Sequence, residues 1–168
     1  MIRFSKKGFS LLGVIFAIGI ITIGLISILG LINYIILVGR LSQDRFVASN
    51  LAQEGIEIVR GIRDTNWISG GANWKNGLAD GEYEVQYNET SLSALWVGSG
   101  RKLKIDTNGF YNYSSGIDSK FTRKVEIKWD EDSGATNDNI DVISTVTWDM
   151  PGFSGTSVIV QDRLYNWW

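Results

Sequence analysis

Residues 8–39 read GFSLLGVIFAIGIITIGLISILGLINYIILVG, and none of them is charged. At about 1.5 Å per residue, a helix of that length extends roughly 48 Å. The hydrocarbon core of a bilayer needs about 30 Å. A core helix in a chain of 168 residues would keep a polar stripe toward water, and this stretch has none. The pattern predicts a transmembrane helix. A secretory signal has an apolar region of only about 7–15 residues and then a small-x-small cleavage site. Here the run is about twice as long, and polar helical sequence follows it. On the apolar run alone, an uncleaved signal anchor is the plainest reading.

The flanks set the orientation. Arg3, Lys6 and Lys7 precede the run with no acidic residue among them, whereas Arg40 and Arg45 beyond it are mixed with Asp44, Glu54 and Glu57. The positive-inside rule places the N-terminus in the cytoplasm and the remainder outside. Setting aside Arg3, Lys6 and Lys7 leaves 13 basic against 18 acidic side chains, formally −5. That balance suits a soluble exported domain and offers no basic excess for nucleic acid.

From Arg40 to Asp64 the sequence reads RLSQDRFVASNLAQEGIEIVRGIRD. Ala48, Leu51, Ala52, Gly55, Val59 and Ile62 recur at three- and four-residue spacing, so one helical face is apolar or small. The helix is expected to continue amphipathically to about Asp64 or Trp67. Ala48, Ala52 and Gly55 would let a sheet approach it closely. Glu54 and Glu57 read as a solvated helix face rather than a catalytic pair.

Beyond a Gly/Asn loop at Ser69–Asp80 that carries Trp74, strands are expected at Glu82–Tyr87, Leu103–Asp106, Phe110–Tyr113, Phe121–Trp129, Ile140–Trp148 and Ser157–Trp167. Several alternate apolar with polar residues, as do Val125, Ile127 and Trp129. Asp106-Thr107-Asn108-Gly109 is a hairpin turn by its Asn-Gly pair. Helix followed by strands implies an α+β fold with an antiparallel sheet.

The chain has no His and no Cys. This removes Ser-His-Asp and Cys-His catalysis, the ordinary zinc sites and disulfides. No constellation of catalytic residue types stands out, so the expectation is a protein that is not an enzyme and uses no cofactor. The acidic stretch Asp130–Asp141 has its Gly one place short of the calcium-loop spacing and lacks the closing Glu, so it reads as a polar hairpin loop. Trp167-Trp168 reads as the end of a packed strand. Gly98-Ser99-Gly100-Arg101-Lys102 lacks the Gly-Lys-Ser/Thr of a phosphate loop and reads as a turn.

The junction Lys6-Lys7-Gly8-Phe9-Ser10-Leu11-Leu12 resembles the class III signal of the type IV prepilin family. There a short basic leader ends in Gly before an apolar helix that starts with Phe or Met. The resemblance implies cleavage between Gly8 and Phe9 by a membrane prepilin peptidase, and N-methylation of Phe9. Lys6 and Lys7 would hold the leader at the anionic cytoplasmic surface, and Gly8 would admit the backbone to a tight active site. The family's usual Glu at the fifth mature position is here Gly13; some minor, tip-located members of the family also lack that Glu. Leu51-Ala52-Gln53-Glu54-Gly55-Ile56-Glu57 is similar to the same region of pilus-modification minor pilins.

The resemblance implies a pilin-like lollipop: a leader at 1–8, a membrane half-helix at 9–39, an amphipathic half at 40–67 and a β-rich domain at 68–168. It also implies a structural role in a type IV pilus or secretion pseudopilus. The partners would be the prepilin peptidase and other pilin subunits met through the N-terminal helix. The alternative is an unprocessed, single-span surface binding module.

Overall fold

A computed structural model of the chain describes residues 8, 10–70, 73–92, 94–129, 139–150 and 153–166. The chain divides into two compact units, Met1–Gln43 and Asp44–Trp168.

One helix, α1, runs Leu11–Ile68 through 58 residues. Its first part forms the first unit. Ser10 stands just before it, and its carbonyl accepts the first helical bond from the Val14 amide at 3.3 Å. Serine is a favoured N-cap type. No acidic residue occupies the first turn. At the other end, Gly70 takes φ 70°, and its amide donates to the Trp67 carbonyl at 3.0 Å. A glycine in the left-handed region closes a helix without steric penalty.

In the second unit, α1 buries Asp44, Ala48, Leu51, Ala52, Gly55, Ile56, Val59, Ile62 and Arg63. This includes every member of the face expected from the three- and four-residue spacing. Six strands follow: β1 Gly81–Tyr83, β2 Lys102–Ile105, β3 Tyr111–Asn112, β4 Ile117–Trp129, β5 Asn139–Met150 and β6 Phe153–Tyr165. They form one antiparallel sheet in the order β3-β2-β4-β5-β6, with β1 also paired to β4. The fold is α+β.

Strand periodicity builds the core. On β4, Phe121, Val125 and Ile127 point inward; on β5, Ile140, Val142, Val146 and Trp148 do the same. Val125, Ile127, Ile140 and Val142 pack with Ile56, Val59 and Ile62 of α1, and with Trp74 and Leu78 of the following loop. Asn66 tethers that loop, donating to the carbonyls of Trp74 at 3.0 Å and Asn76 at 2.8 Å. At Gly55 the helix comes close to the sheet. A Cβ built there would stand 2.6 Å from Ser144 Oγ and 3.0 Å from Val125 Cγ2, closer than packed atoms tolerate.

Four expectations need adjustment. β1 stops at Tyr83, because the next amide, of Glu84, turns to the Ala94 carbonyl at 2.8 Å. β4 starts at Ile117 and β6 at Phe153, each four residues earlier than the alternation suggested. Trp129 does not join Val125 and Ile127 inside: it is 39% exposed, and its indole N–H donates to the Leu78 carbonyl at 2.9 Å. The Asp106–Phe110 turn forms with Gly109 at φ 86°, held by Asp106 Oδ1 accepting from the Asn108 and Phe110 amides.

Candidate functional site: the exposed apolar helix

Between Leu11 and Val38, α1 presents nineteen large apolar or aromatic side chains that are all exposed, from 37% at Leu37 to 78% at Leu11. No residue of this part is buried. Removing each such side chain from water is worth about 1.5–3 kcal/mol, so the segment carries a drive of tens of kcal/mol toward an apolar environment. Length and composition make α1 a candidate membrane span.

Polar groups in this segment are partly masked by the helix itself. Thr22 Oγ1 donates to the Gly19 carbonyl at 2.8 Å and Ser27 Oγ to the Ile23 carbonyl at 2.9 Å. Back-bonding of this kind satisfies a hydroxyl where no water can. Gly19, Gly24, Gly30 and Gly39 each have open space where a Cβ would stand, so the packing of this chain does not require them.

Of the residues at the head of the helix, Gly8 is exposed and Gly13 lies in the first turn of α1. Lys6, Lys7 and Phe9 lie outside the described residues, as do Arg3, Trp167-Trp168 and positions 130–138 of the acidic loop. Gly13 is the third helical residue, the place where a Glu would face the positive end of the helix dipole.

The second unit contains a constellation that the sequence reading missed. Arg123 is fully buried. Its Nη1 donates to the Leu51 carbonyl at 2.9 Å and to Glu54 Oε2 at 2.6 Å. Its Nε donates to the Val85 carbonyl at 3.0 Å, and Nη2 also reaches that oxygen. One guanidinium thereby ties α1, β4 and the segment after β1 together. Glu54 is therefore the counter-ion of a buried cation, not simply a solvated side chain. Glu57 is solvated and pairs with Arg60 at 2.6 Å. The signal for Arg123 was its parity: it sits two residues from Phe121 and two from Val125, on the inward register of β4.

Near Glu54 and Glu57 a groove of about 430 Å³ is also lined by Ile58, Tyr87 and Glu89. Burial pushes the Glu89 carboxyl above the usual range. Glu54 and Glu57 are both committed to arginines, so the groove does not hold a free carboxylate pair. Among the described residues no three Asp or Glu side chains are grouped to hold a metal ion. Tyr113 donates its hydroxyl to the Arg123 carbonyl at 3.1 Å, and burial pushes its phenol up to about 12.

Compared with protein-family models, curated proteins and solved structures, the chain matches none of them.

Proposed function

We propose that the chain is a prepilin-type protein, a minor pilin or pseudopilin that enters a type IV pilus or a related secretion filament. The observation that carries this reading is the coupling in one helix of two unlike surfaces. The first part of α1 is apolar and unburied on all sides, and the second part is the spine of an antiparallel sheet domain. The Lys6-Lys7-Gly8-Phe9 junction ahead of it adds the processing signal.

In this reading the first part of α1 spans the cytoplasmic membrane, with Lys6 and Lys7 inside and the sheet domain outside. If the span starts at Leu11, a core of about 30 Å takes up some twenty residues. Asn33 and Tyr34 then fall at the outer interface, where an amphipathic ring is favoured. After cleavage the same apolar surface packs against the helices of other subunits, and the prepilin peptidase is the first partner.

Gly13 narrows the role. In a filament of this family, the cleaved amine of one subunit is a cation within an apolar helix bundle. The Glu at the fifth mature position of the next subunit neutralises it, and burying it unpaired would cost several kcal/mol. A subunit placed first has no earlier amine to neutralise, and a carboxylate there would itself be buried unpaired. Gly13 suits that position. The protein is therefore assigned to the filament tip, in low copy number, where it helps start assembly. Immunogold labelling of sheared filaments tests this reading. Label confined to one end is the expected result. Regular label along the shaft rejects the tip role, and label restricted to cell membranes rejects assembly and favours the unprocessed anchor.

A further inference from the structure

Strands β2 and β4 carry five lysines, and they fall into two groups. Lys120 reaches Asp44 at 2.5 Å, Lys124 reaches Glu82 at 2.6 Å and Lys128 reaches Glu126 at 2.8 Å. Lys102 and Lys104 on β2 have no carboxylate within ion-pair distance among the described residues. Both line a groove of about 400 Å³, together with Arg101, Tyr113 and Asp118.

Arg101 is held in place there. Its amide donates to Glu84 Oε1 at 2.7 Å and its Nε to Glu84 Oε2 at 2.5 Å. The Glu84 side chain is only 5% exposed, so the carboxylate is a fixed anchor. The guanidinium carbon lies 4.8 Å from the centroid of the Tyr113 ring. Both oxygens of Glu84 are taken and one face of the guanidinium is covered, yet the arginine side chain remains 59% exposed. Its two terminal nitrogens have no hydrogen-bond partner among the described residues. An arginine fixed in this way has already lost its rotamer freedom, so less is lost when it binds an anion.

We propose that this groove is a binding site for a phosphate group. Arg101 supplies a preorganised fork and Lys102 and Lys104 supply mobile ammonium donors. Planar, singly charged carboxylates are satisfied by an arginine fork alone. A tetrahedral group with close to two negative charges uses three cationic partners. Asp118 stands opposite Lys104 in the β2–β4 register and lines the same groove. It offsets part of the positive charge and keeps the unliganded site from strong self-repulsion. The site belongs to the sheet domain alone and does not depend on the filament reading.

The test uses the full chain in uncharged detergent micelles, titrated with inorganic phosphate at constant ionic strength and followed by amide and arginine Nε shifts in NMR. Saturable one-site binding is expected. Lys104→Gln and Arg101→Gln should each weaken it at least tenfold, and Asp118→Asn should tighten it several-fold. Lys128→Gln, which removes a paired lysine of β4, should leave it unchanged. A melting curve accompanies Arg101→Gln, because Glu84 loses its partner there; Lys104→Gln disturbs no such anchor and decides the matter if Arg101→Gln unfolds. Absence of saturable shifts, or equal weakening by Lys128→Gln and Lys104→Gln, overturns the proposal. Repeating the titration in phosphatidylcholine bilayers with and without phosphatidic acid identifies the source. Weaker phosphate binding in the acidic bilayer means a lipid headgroup occupies the site, and equal binding means a soluble phosphate ester.

Discussion

From Leu11 to Val38, helix α1 leaves nineteen large apolar side chains in the open, whereas from Ala48 to Ile62 it buries Ala48, Leu51, Ala52, Ile56, Val59 and Ile62 against strands of its own chain. Backbone geometry is the same in both stretches, so the difference lies entirely in the side chains. The first stretch has no polar face on which to stop, and none of its residues is buried among the described residues. The second alternates Asn50, Gln53, Glu57 and Arg60 with its apolar face, so one sheet suffices to cover it. Under the proposed function, burial is supplied from outside the chain in one half and from inside it in the other. Substitutions in the two halves should therefore fail in different assays.

The largest effect is expected at the clamp of the second half. Arg123→Ala leaves Glu54 and the Leu51 and Val85 carbonyls without their donor in a buried site, at roughly 3–5 kcal/mol. Thermal unfolding of the full chain in micelles, followed by near-UV circular dichroism of the tryptophans, should show a large fall in melting temperature. An unchanged melting temperature would mean that the guanidinium does not clamp helix to sheet.

Leu51→Ala and Ile26→Arg form the matched pair that breaks or sharpens the comparison. Leu51 is 4% exposed, and its truncation should cost roughly 2–5 kcal/mol of domain stability with no effect on membrane retention. Ile26→Arg places a charge in mid-span, at about 2.5–3.5 kcal/mol of insertion. Against a drive of tens of kcal/mol this should lower the yield of inserted protein rather than empty the membrane fraction, while the tryptophan melting curve stays in place. If Leu51→Ala also alters retention, or Ile26→Arg also shifts the melt, the halves are not independent.

A smaller effect concerns pH. The ordinary tyrosine value is about 10, and burial holds Tyr113 at about 12. Above pH 10 the unfolded chain loses this proton while the folded chain keeps it. The contribution of Tyr113 is complete below about pH 10 and is lost as pH rises to about 12, amounting to at most about 3 kcal/mol. Tyr113→Phe should flatten the decline in melting temperature over that window. A decline just as steep in the variant would assign it to other groups, such as Tyr83 and Tyr111, which burial also raises.

The sequence was most legible where one periodicity acted alone. The helix face read correctly because Ala48, Leu51, Ala52, Gly55, Val59 and Ile62 are all apolar or small, and β5 because Val142, Val146 and Trp148 alternate with polar residues. Arg123 escaped because a charge on a strand is ordinarily read as outward, and only the parity of its neighbours places it inside. The truncation of β1 escaped because it depends on the Glu84 amide meeting the carbonyl of Ala94, ten residues later. The phosphate groove escaped for the same reason. Gly98 and Ser99 form a turn, as the sequence suggested, and Lys102 opens β2, but what makes Arg101 rigid is a carboxylate and an aromatic ring brought to it by the segments that follow β1 and β3.

The head of α1 stays a reading of sequence pattern, and it bears most directly on the central claim. Co-expression of the full chain with an active prepilin peptidase, followed by intact-mass measurement of the membrane-extracted protein, tests it. The account predicts loss of Met1–Gly8, a mature chain beginning with N-methylated Phe9, and no cleavage in Gly8→Val, where a branched side chain crowds the scissile bond. A product that retains Met1–Gly8 in the presence of the active peptidase would contradict it.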